Sequence, residues 1–180
     1  MSRVGRQIIN IPDSVKVEYK DKIVKVQGPL GTLSQVIDSR HIDLKFEDKI
    51  LTVVRNSEDK STKAKHGLYR VLINNMVQGV IKPYSKSLIV NGVGYKTAVV
   101  GNKLTMNIGY SHPVEIIAPE GIKITCVTPT EIKVEGISKE QVGHIAAKIR
   151  ASKPVEPYHL YGIRYSTEQL TKKEGKTAGK

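Results

Sequence analysis

Short runs of alternating apolar and polar residues recur through the first sixty positions, and this alternation predicts half-buried strands. The runs lie at residues 15–19, 23–26, 33–37, 42–46 and 50–54. The first two are separated by Lys20-Asp21-Lys22, which indicates a hairpin. The opening segment is therefore predicted to form antiparallel sheet.

The spacing changes to three and four between residues 61 and 80, which predicts an amphipathic helix that ends near Gly79. Its predicted face consists of Ala64, Leu68, Val71, Leu72, Asn75 and Met76.

The second half of the chain repeats this order. Strands are predicted at residues 88–90, 95–100, 104–108, 114–117, 122–127 and 132–135. Gly101-Asn102 fits a two-residue hairpin turn. Ser138-Lys139-Glu140-Gln141 has the form of a capping box and introduces a second helix. The apolar face of that helix is predicted to contain Val142, Ile145, Ala146 and Ile149.

The two halves match at a separation of 81 residues. Leu51 matches Ile132, Val53 matches Val134, Ser57 matches Ser138, Asp59 matches Glu140, Ala64 matches Ile145, and Leu68 matches Ile149. Duplication of one small fold explains this pattern, and chance agreement between two sheet-plus-helix units is the alternative. Both accounts predict an α+β protein with two tandem similar domains, residues 1–82 and 83–180, each an antiparallel sheet packed with one main helix, followed by a basic C-terminal tail.

Charge distribution indicates the kind of partner. The net charge of +12 favours a polyanion, and residues 148–180 carry eight basic and three acidic side chains. The tail either remains disordered or becomes ordered on meeting phosphate. Tyr158, Tyr161 and Tyr165 near Arg164 favour the second alternative, because aromatic rings stack on unpaired bases, although a packed turn also explains them.

Catalytic and cofactor sites find little support in the sequence. Cys126 is the single cysteine and lies in a β run, so neither a disulfide framework nor a cysteine-based zinc site is expected. The five histidines lack metal-ligand spacing, and Gly175-Lys176-Thr177 lacks the earlier glycine of a phosphate loop. We predict no enzyme activity, cofactor, metal or small-molecule substrate. With no apolar run long enough to span a bilayer, we expect a cytoplasmic protein without a membrane partner.

Several ordered blocks resemble the bacterial-type large-subunit ribosomal protein L6 family over nearly the whole chain. They are VKVQGPLGTL at residues 24–33, NMVQGV at 75–80, GVGYK at 92–96, GYSHPV at 109–114, APEGI at 118–122, PVEPY at 154–158 and GIRY at 162–165. One departure is His159-Leu160-Tyr161, where the family usually has Lys-Gly-Lys, so two positive charges are missing.

The resemblance implies a duplicated two-domain fold and a non-catalytic role in the large ribosomal subunit. Its partners would be large-subunit ribosomal RNA (rRNA) and neighbouring ribosomal proteins, near the sarcin-ricin loop and the stalk base where translation factors dock. The candidate rRNA-binding residues are Lys153, Tyr158, Arg164, Tyr165, Lys172, Lys173, Lys176 and Lys180, with Gly92, Gly94, Lys96, Ser111 and His112 as further candidates.

The glycines Gly92 and Gly94 are expected to let the backbone approach RNA closely. Deletion of residues 153–180 is expected to abolish incorporation into large subunits and to leave the body folded. The alternative function is a protein-interaction or assembly module that uses β-sheet edges without direct RNA binding.

Overall fold

A computed structural model describes residues 3–176 of the chain, which divide into two compact units. Unit 1 contains the described residues up to Pro83 together with Ile137–Lys139. Unit 2 contains Tyr84–Gly136 and the described residues from Glu140 onward. Each unit combines antiparallel sheets with one helix and has its own apolar core, so the predicted α+β class with two similar tandem domains is confirmed.

Unit 1 contains six strands and one helix. They are β1 (Ile9–Asn10), β2 (Lys16–Lys20), β3 (Ile23–Gly28), β4 (Gly31–Val36), β5 (Ile42–Glu47), β6 (Ile50–Arg55) and α1 (Lys60–Gly79). The strands form two three-stranded antiparallel sheets in the orders β2-β3-β4 and β1-β6-β5. The short strand β1, which the alternation pattern missed, places Ile9 opposite Leu51 in the core.

Helix α1 buries a different face from the one predicted. Its buried residues are Thr62, His66, Tyr69, Ile73, Met76, Val77 and Gly79. Met76 is buried and Leu72 is half-buried against the core, whereas Leu68 is 52% exposed and Ala64 is also exposed, so the predicted face was wrong at Ala64 and Leu68. The buried side includes the polar residue His66, whose Nε2 lies 2.9 Å from the Val53 carbonyl oxygen. Tyr69, Ile73, Met76 and Val77 on the same side also keep a helical apolar spacing, so the buried face is a second stripe that is offset from the predicted one.

Unit 2 contains seven strands and one helix. They are β7 (Tyr84–Asn91), β8 (Lys96–Val100), β9 (Lys103–Asn107), β10 (Val114–Ile117), β11 (Ile122–Thr128), β12 (Glu131–Gly136), α2 (Lys139–Ser152) and β13 (Gly162–Tyr165). One sheet has the order β10-β9-β8 and the other β11-β12-β7-β13. Gly101-Asn102 connects β8 to β9, since Val100 pairs with Lys103, which confirms the predicted hairpin turn.

The predicted face of α2 is confirmed, because Val142, Ile145, Ala146 and Ile149 are all buried. Aliphatic packing therefore positions this helix over its sheet, in contrast to the histidine-containing face of α1.

Strand β13 was not predicted, and it changes the expected effect of removing residues 153–180. The strand pairs with β7, and its Ile163 is fully buried in the core of unit 2. Deletion would remove an edge strand and open a cavity, so we now expect it to lower the stability of unit 2 as well. Within residues 3–176, no helix combines the length and apolar character needed to cross a membrane.

Candidate nucleic-acid interface

Strand β13 positions two of the predicted site residues, Arg164 and Tyr165. Arg164 pairs with Ile89 and Tyr165 pairs with Leu88 on β7. Gly162 begins the strand with φ +139°, and a Cβ there would lie 2.6 Å from the Pro154 carbonyl oxygen. Glycine is therefore required where the chain returns past the end of α2.

A bidentate ion pair joins the end of α2 to the segment after β13. The Arg150 guanidinium donates two hydrogen bonds to the Glu168 carboxylate, one of them from Nε to Oε2 at 2.9 Å. The same carboxylate accepts a hydrogen bond from the Tyr165 amide at 3.1 Å. Arg164 donates from its guanidinium to the Glu168 carbonyl oxygen at 3.2 Å. Glu168 thus fixes the start of the tail.

The Arg150–Glu168 pair shifts the pKa of both members. The guanidinium hydrogen bonds hold the pKa of Glu168 below its usual value against the opposing effect of partial burial. The carboxylate raises the pKa of Arg150 for the reciprocal reason. Both groups are therefore charged at neutral pH, and Arg150 has a carboxylate partner within the chain.

The ring of Tyr165 is occupied by contacts within unit 2. It is half-buried and packs against the core cluster, with the Lys86 ammonium 4.8 Å and the Arg150 guanidinium 5.8 Å from its centroid. Cations attracted to the ring face compete with any base that would stack there. Tyr158, in contrast, is 48% exposed.

The turn between α2 and β13 is closed by its own hydrogen bonds. The Glu156 amide donates to the Tyr161 carbonyl oxygen at 3.0 Å, and the His159 amide donates to the Glu156 carboxylate at 2.6 Å. Leu160 has φ +62°, a left-handed conformation that is unfavourable for a leucine. Its carbonyl oxygen accepts a hydrogen bond from the Asn91 side-chain amide at 2.9 Å. This turn is a fixed structure.

The tail lies against the same turn at one backbone contact. The Lys173 amide donates to the Pro157 carbonyl oxygen at 2.9 Å. Lys172, Lys173 and Lys176, which we call the tail cations, are exposed. Lys180, the last predicted cation, lies outside the described residues.

Glycines of two loops in unit 2 lie against the ring of Tyr95. A Cβ on Gly92 would lie 2.4 Å from the Tyr95 ring, and one on Gly109 would lie 3.1 Å from it. Packing of this ring therefore accounts for Gly92 independently of any RNA. Gly94 has φ +75° with open space around it, and Lys96 is exposed at the start of β8.

Tyr110 connects Lys153 with the loop that contains Ser111 and His112. The Lys153 ammonium lies 4.5 Å from the Tyr110 ring centroid, and the Tyr110 hydroxyl donates to the Ser152 carbonyl oxygen at 3.0 Å. Ser111 and His112 are exposed. Tyr110 therefore places Lys153 beside the loop of Ser111 and His112, and Gly109 in the same loop lies against the Tyr95 ring, which is next to Gly94 and Lys96 in sequence. We call Gly94, Lys96, Ser111, His112 and Lys153 the loop cluster.

Several positioning residues were missed by sequence reasoning, among them Tyr95, Tyr110, Arg150 and Glu168. The tyrosines follow a glycine in GVGY and GY, a signal that could have indicated a ring packed on backbone. Nothing in the sequence marks Glu168 as the partner of Arg150, since the pairing depends on the return of β13 along the sheet.

Among residues 3–176, no group of three or more His, Cys, Asp or Glu side chains is placed to hold a metal ion. The Cys126 thiol is half-buried in β11, with its sulfur 3.4 Å from the Thr97 hydroxyl.

Comparison with known proteins identifies the family. A model described as ribosomal protein L6 matches residues 11–82 and 91–166. Proteins named large ribosomal subunit protein uL6 from Staphylococcus carnosus and Staphylococcus aureus are each 49% identical to this chain over 177 residues, covering 98% of the chain and 99% of the relative. The chain belongs to the ribosomal protein L6 family. The resemblance carried by the sequence blocks is thus confirmed.

Family membership settles the broad class of function. The chain is a structural protein of the large ribosomal subunit and not an enzyme, as predicted. As a member of this family, the chain is part of a ribonucleoprotein, takes part in translation and is located in the cytoplasm. Association with rRNA and with other ribosomal proteins follows from this class.

Proposed function

We propose that this chain binds large-subunit rRNA through unit 2, with the tail cations and the loop cluster as its contacts to phosphate. The site lies near the sarcin-ricin loop and the stalk base, where the protein supports subunit assembly and the region that binds translation factors. Neighbouring ribosomal proteins and the docking factors are its other partners.

The backbone contact between Lys173 and Pro157 carries the proposal. It holds two adjacent lysines against a turn that hydrogen bonds already fix, so less conformational freedom is lost when they meet phosphate. The tail cations are exposed, and the overall charge of +12 attracts a polyanion. Lys180 is included in the proposal because it adds one more positive charge to the tail.

The predicted residues have different roles within this proposal. Arg164 is half-buried and donates to Glu168, so it acts mainly by fixing the tail and secondarily as a positive charge. Lys153 lies over Tyr110 and presents its charge from a fixed position beside Ser111 and His112. Gly94 and Lys96 extend the loop cluster, whereas Gly92 serves the packing of Tyr95. Tyr158 offers an exposed ring, and Tyr165 anchors cations.

Salt-dependent binding tests the phosphate contacts. The double variant Lys172→Ala/Lys173→Ala should bind large-subunit rRNA more weakly, and the slope of log Kd against log salt concentration should fall by about two, because two phosphate contacts no longer release counterions. Lys20→Ala/Lys45→Ala removes the same charge from exposed positions of unit 1 and serves as the control. An equal loss of affinity in the tail variant and the control would show that any two surface charges have this effect, and would contradict a specific role of the tail.

The location on rRNA is tested separately by chemical footprinting of large-subunit rRNA with and without the full chain. Protection at the sarcin-ricin loop and the stalk base is expected. Protection confined to other regions would overturn the location without affecting the phosphate contacts. Unchanged rRNA affinity in every lysine variant, with retained binding to ribosomal proteins, would favour the sheet-edge interaction module instead.

A further inference from the structure

An aromatic pair stands out in the turn between α2 and β13. The rings of His159 and Tyr161 are stacked, with centroids 5.6 Å apart and an angle of 20° between their planes. We propose that this pair is a stacking platform for one unpaired base of the RNA, beside the tail cations that hold its phosphates. The proposal rests on the proposed function and specifies how unit 2 recognises a nucleotide within it.

The pair is held in place before any ligand arrives. The Tyr161 carbonyl oxygen accepts from the Glu156 amide at 3.0 Å, and the His159 amide donates to the Glu156 carboxylate at 2.6 Å. Between the two rings, Leu160 keeps φ +62°, with its carbonyl oxygen bound by Asn91 at 2.9 Å. The left-handed residue persists because contacts on both sides determine the turn, and such strain is concentrated at functional positions.

Both rings also reach solvent. Tyr161 is 39% exposed and His159 is exposed as well. Each ring uses one face against the other, so the solvent-exposed ring surface lies outside the stack. An offset stack with this centroid distance is a favoured aromatic geometry, and adding a third ring extends the same arrangement.

Two other aromatic rings of unit 2 are already in contact with cations. Tyr165 has Lys86 and Arg150 at its ring and packs on the core, and Tyr110 has Lys153 over its face. No cation of residues 3–176 lies over either ring of the pair. The available stacking surface of this region is therefore His159 and Tyr161, with exposed Tyr158 preceding them in the chain.

A nucleotide matches the combination of groups around this turn. The Lys173 amide contacts the Pro157 carbonyl oxygen, which places the tail cations next to the segment that carries the pair. A planar ring linked to an anionic group satisfies both features at once, and single-stranded nucleic acid is bound by such combinations of stacking rings and positive charge. The Glu156 carboxylate, which would repel phosphate, is bound by the His159 amide.

The platform is tested by affinity measurements with the full chain and a large-subunit rRNA transcript. Tyr161→Leu should weaken binding about tenfold, because leucine keeps apolar volume but has no aromatic face. Tyr161→Phe should bind like the unmodified chain, and His159→Leu/Tyr161→Leu should bind more weakly than Tyr161→Leu. Phe46→Leu removes a partly exposed aromatic ring from unit 1 and should have no effect.

Salt titration separates stacking from charge. Tyr161→Leu removes no charge, so its salt slope should equal that of the unmodified chain, whereas Lys172→Ala/Lys173→Ala lowers the slope. Full affinity in Tyr161→Leu together with weakened binding in the lysine variant would overturn the platform and leave the proposed function standing. Full affinity in both variants would overturn the platform and the proposed function together. The stacked pair would then be assigned to a contact with protein.

Crosslinking provides a measurement on the unmodified chain. Ultraviolet irradiation of its complex with the rRNA transcript should attach a nucleotide to His159 or Tyr161, identified by mass spectrometry of the peptide that contains residues 154–164. Crosslinks confined to other peptides would overturn the platform even if Tyr161→Leu failed to fold.

Discussion

The two strand-plus-helix segments of the molecule, β6 with α1 and β12 with α2, agree in their strands and differ in their helices. The buried pairs Leu51 and Val53 in β6 and Ile132 and Val134 in β12 are related by the 81-residue spacing. The buried helix faces are related by a different spacing: His66 to Val142, Tyr69 to Ile145, and Ile73 to Ile149 are each 76 residues apart.

The change of spacing has a simple structural cause. Residues 56–59 connect β6 to α1, whereas only residues 137–138 connect β12 to α2. The connection in unit 1 is thus two residues longer, and α1 extends about one further helical turn before its matching buried face begins. A duplicated fold can therefore keep the same strand-to-helix packing although the sequence spacing changes. In unit 1 the change comes from a connection that is two residues longer and from about one additional helical turn.

The two helices also differ in how they are held. Polar anchors contribute in unit 1, where His66 contacts the Val53 carbonyl oxygen and the Tyr69 hydroxyl accepts from the Asp38 amide at 2.9 Å. Helix α2 relies on the aliphatic residues of its buried face. Aliphatic faces follow the apolar pattern of the sequence, and polar anchors do not.

Truncation of buried isoleucines should produce the largest effect and tests the spacing of the helix faces. Ile73→Ala and Ile149→Ala should each lower the free energy of unfolding by about 3 kcal/mol, because each side chain is fully buried and leaves a cavity. Leu68→Ala, the 81-residue counterpart of Ile149, should change it by less than about 0.5 kcal/mol. Denaturant unfolding measures all three, and equal losses at positions 68 and 149 would contradict the 76-residue relation.

Removal of the Glu168 charge should have an intermediate effect, confined to unit 2. Glu168→Gln should lower stability at pH 7 by about 1 kcal/mol or less, because a partly exposed bidentate pair with Arg150 is lost. Since Arg150 lowers the folded-state pKa of Glu168, the contribution is present above the unfolded pKa and disappears as pH falls through the folded pKa.

The difference between Glu168→Gln and the unmodified chain should accordingly vanish in strong acid. Thermal unfolding from pH 7 downward measures it, with Glu174→Gln, which alters an exposed tail carboxylate, as the control. Asp43, whose pKa is lowered by Lys22, gives unit 1 a dependence of the same sign. A pH-independent deficit in Glu168→Gln would show that the ion pair is not its source.

Glycine substitution at residues with left-handed backbone conformation should change stability least of the three kinds of variant. The change should be a gain in unit 2 and a loss in unit 1. Leu160→Gly should raise the free energy of unfolding by less than about 1 kcal/mol, because glycine adopts φ +62° without steric cost. Lys22, at φ +63°, forms an ion pair with Asp43 and donates to the Ile42 carbonyl oxygen at 3.1 Å. Lys22→Gly should therefore lower the melting temperature, and a rise in both variants would remove the contrast.

Local pattern predicted most strands and the face of α2 because alternating or helically spaced apolar residues mark surfaces that must leave water. It failed for β1 and β13, whose two and four residues are too short to show a period. For α1 two apolar stripes compete, and the buried one, with Tyr69, Ile73, Met76 and Val77, also contains the polar His66. Among the candidate site residues, the sequence named the exposed lysines and Tyr161, but it gave no sign of the Arg150–Glu168 ion pair or of the stacking of His159 on Tyr161.

By itself the sequence determined the α+β class, the two similar halves, the excess of positive charge and, through its ordered blocks, the family. These features depend on composition and on neighbours within a few residues. Only the tertiary structure decided which face of α1 is buried, that Tyr165 packs against the core, and that Lys173 lies beside Pro157. Each of these depends on contacts between residues distant in sequence, whose partners are selected when the chain closes its sheets and fills its core.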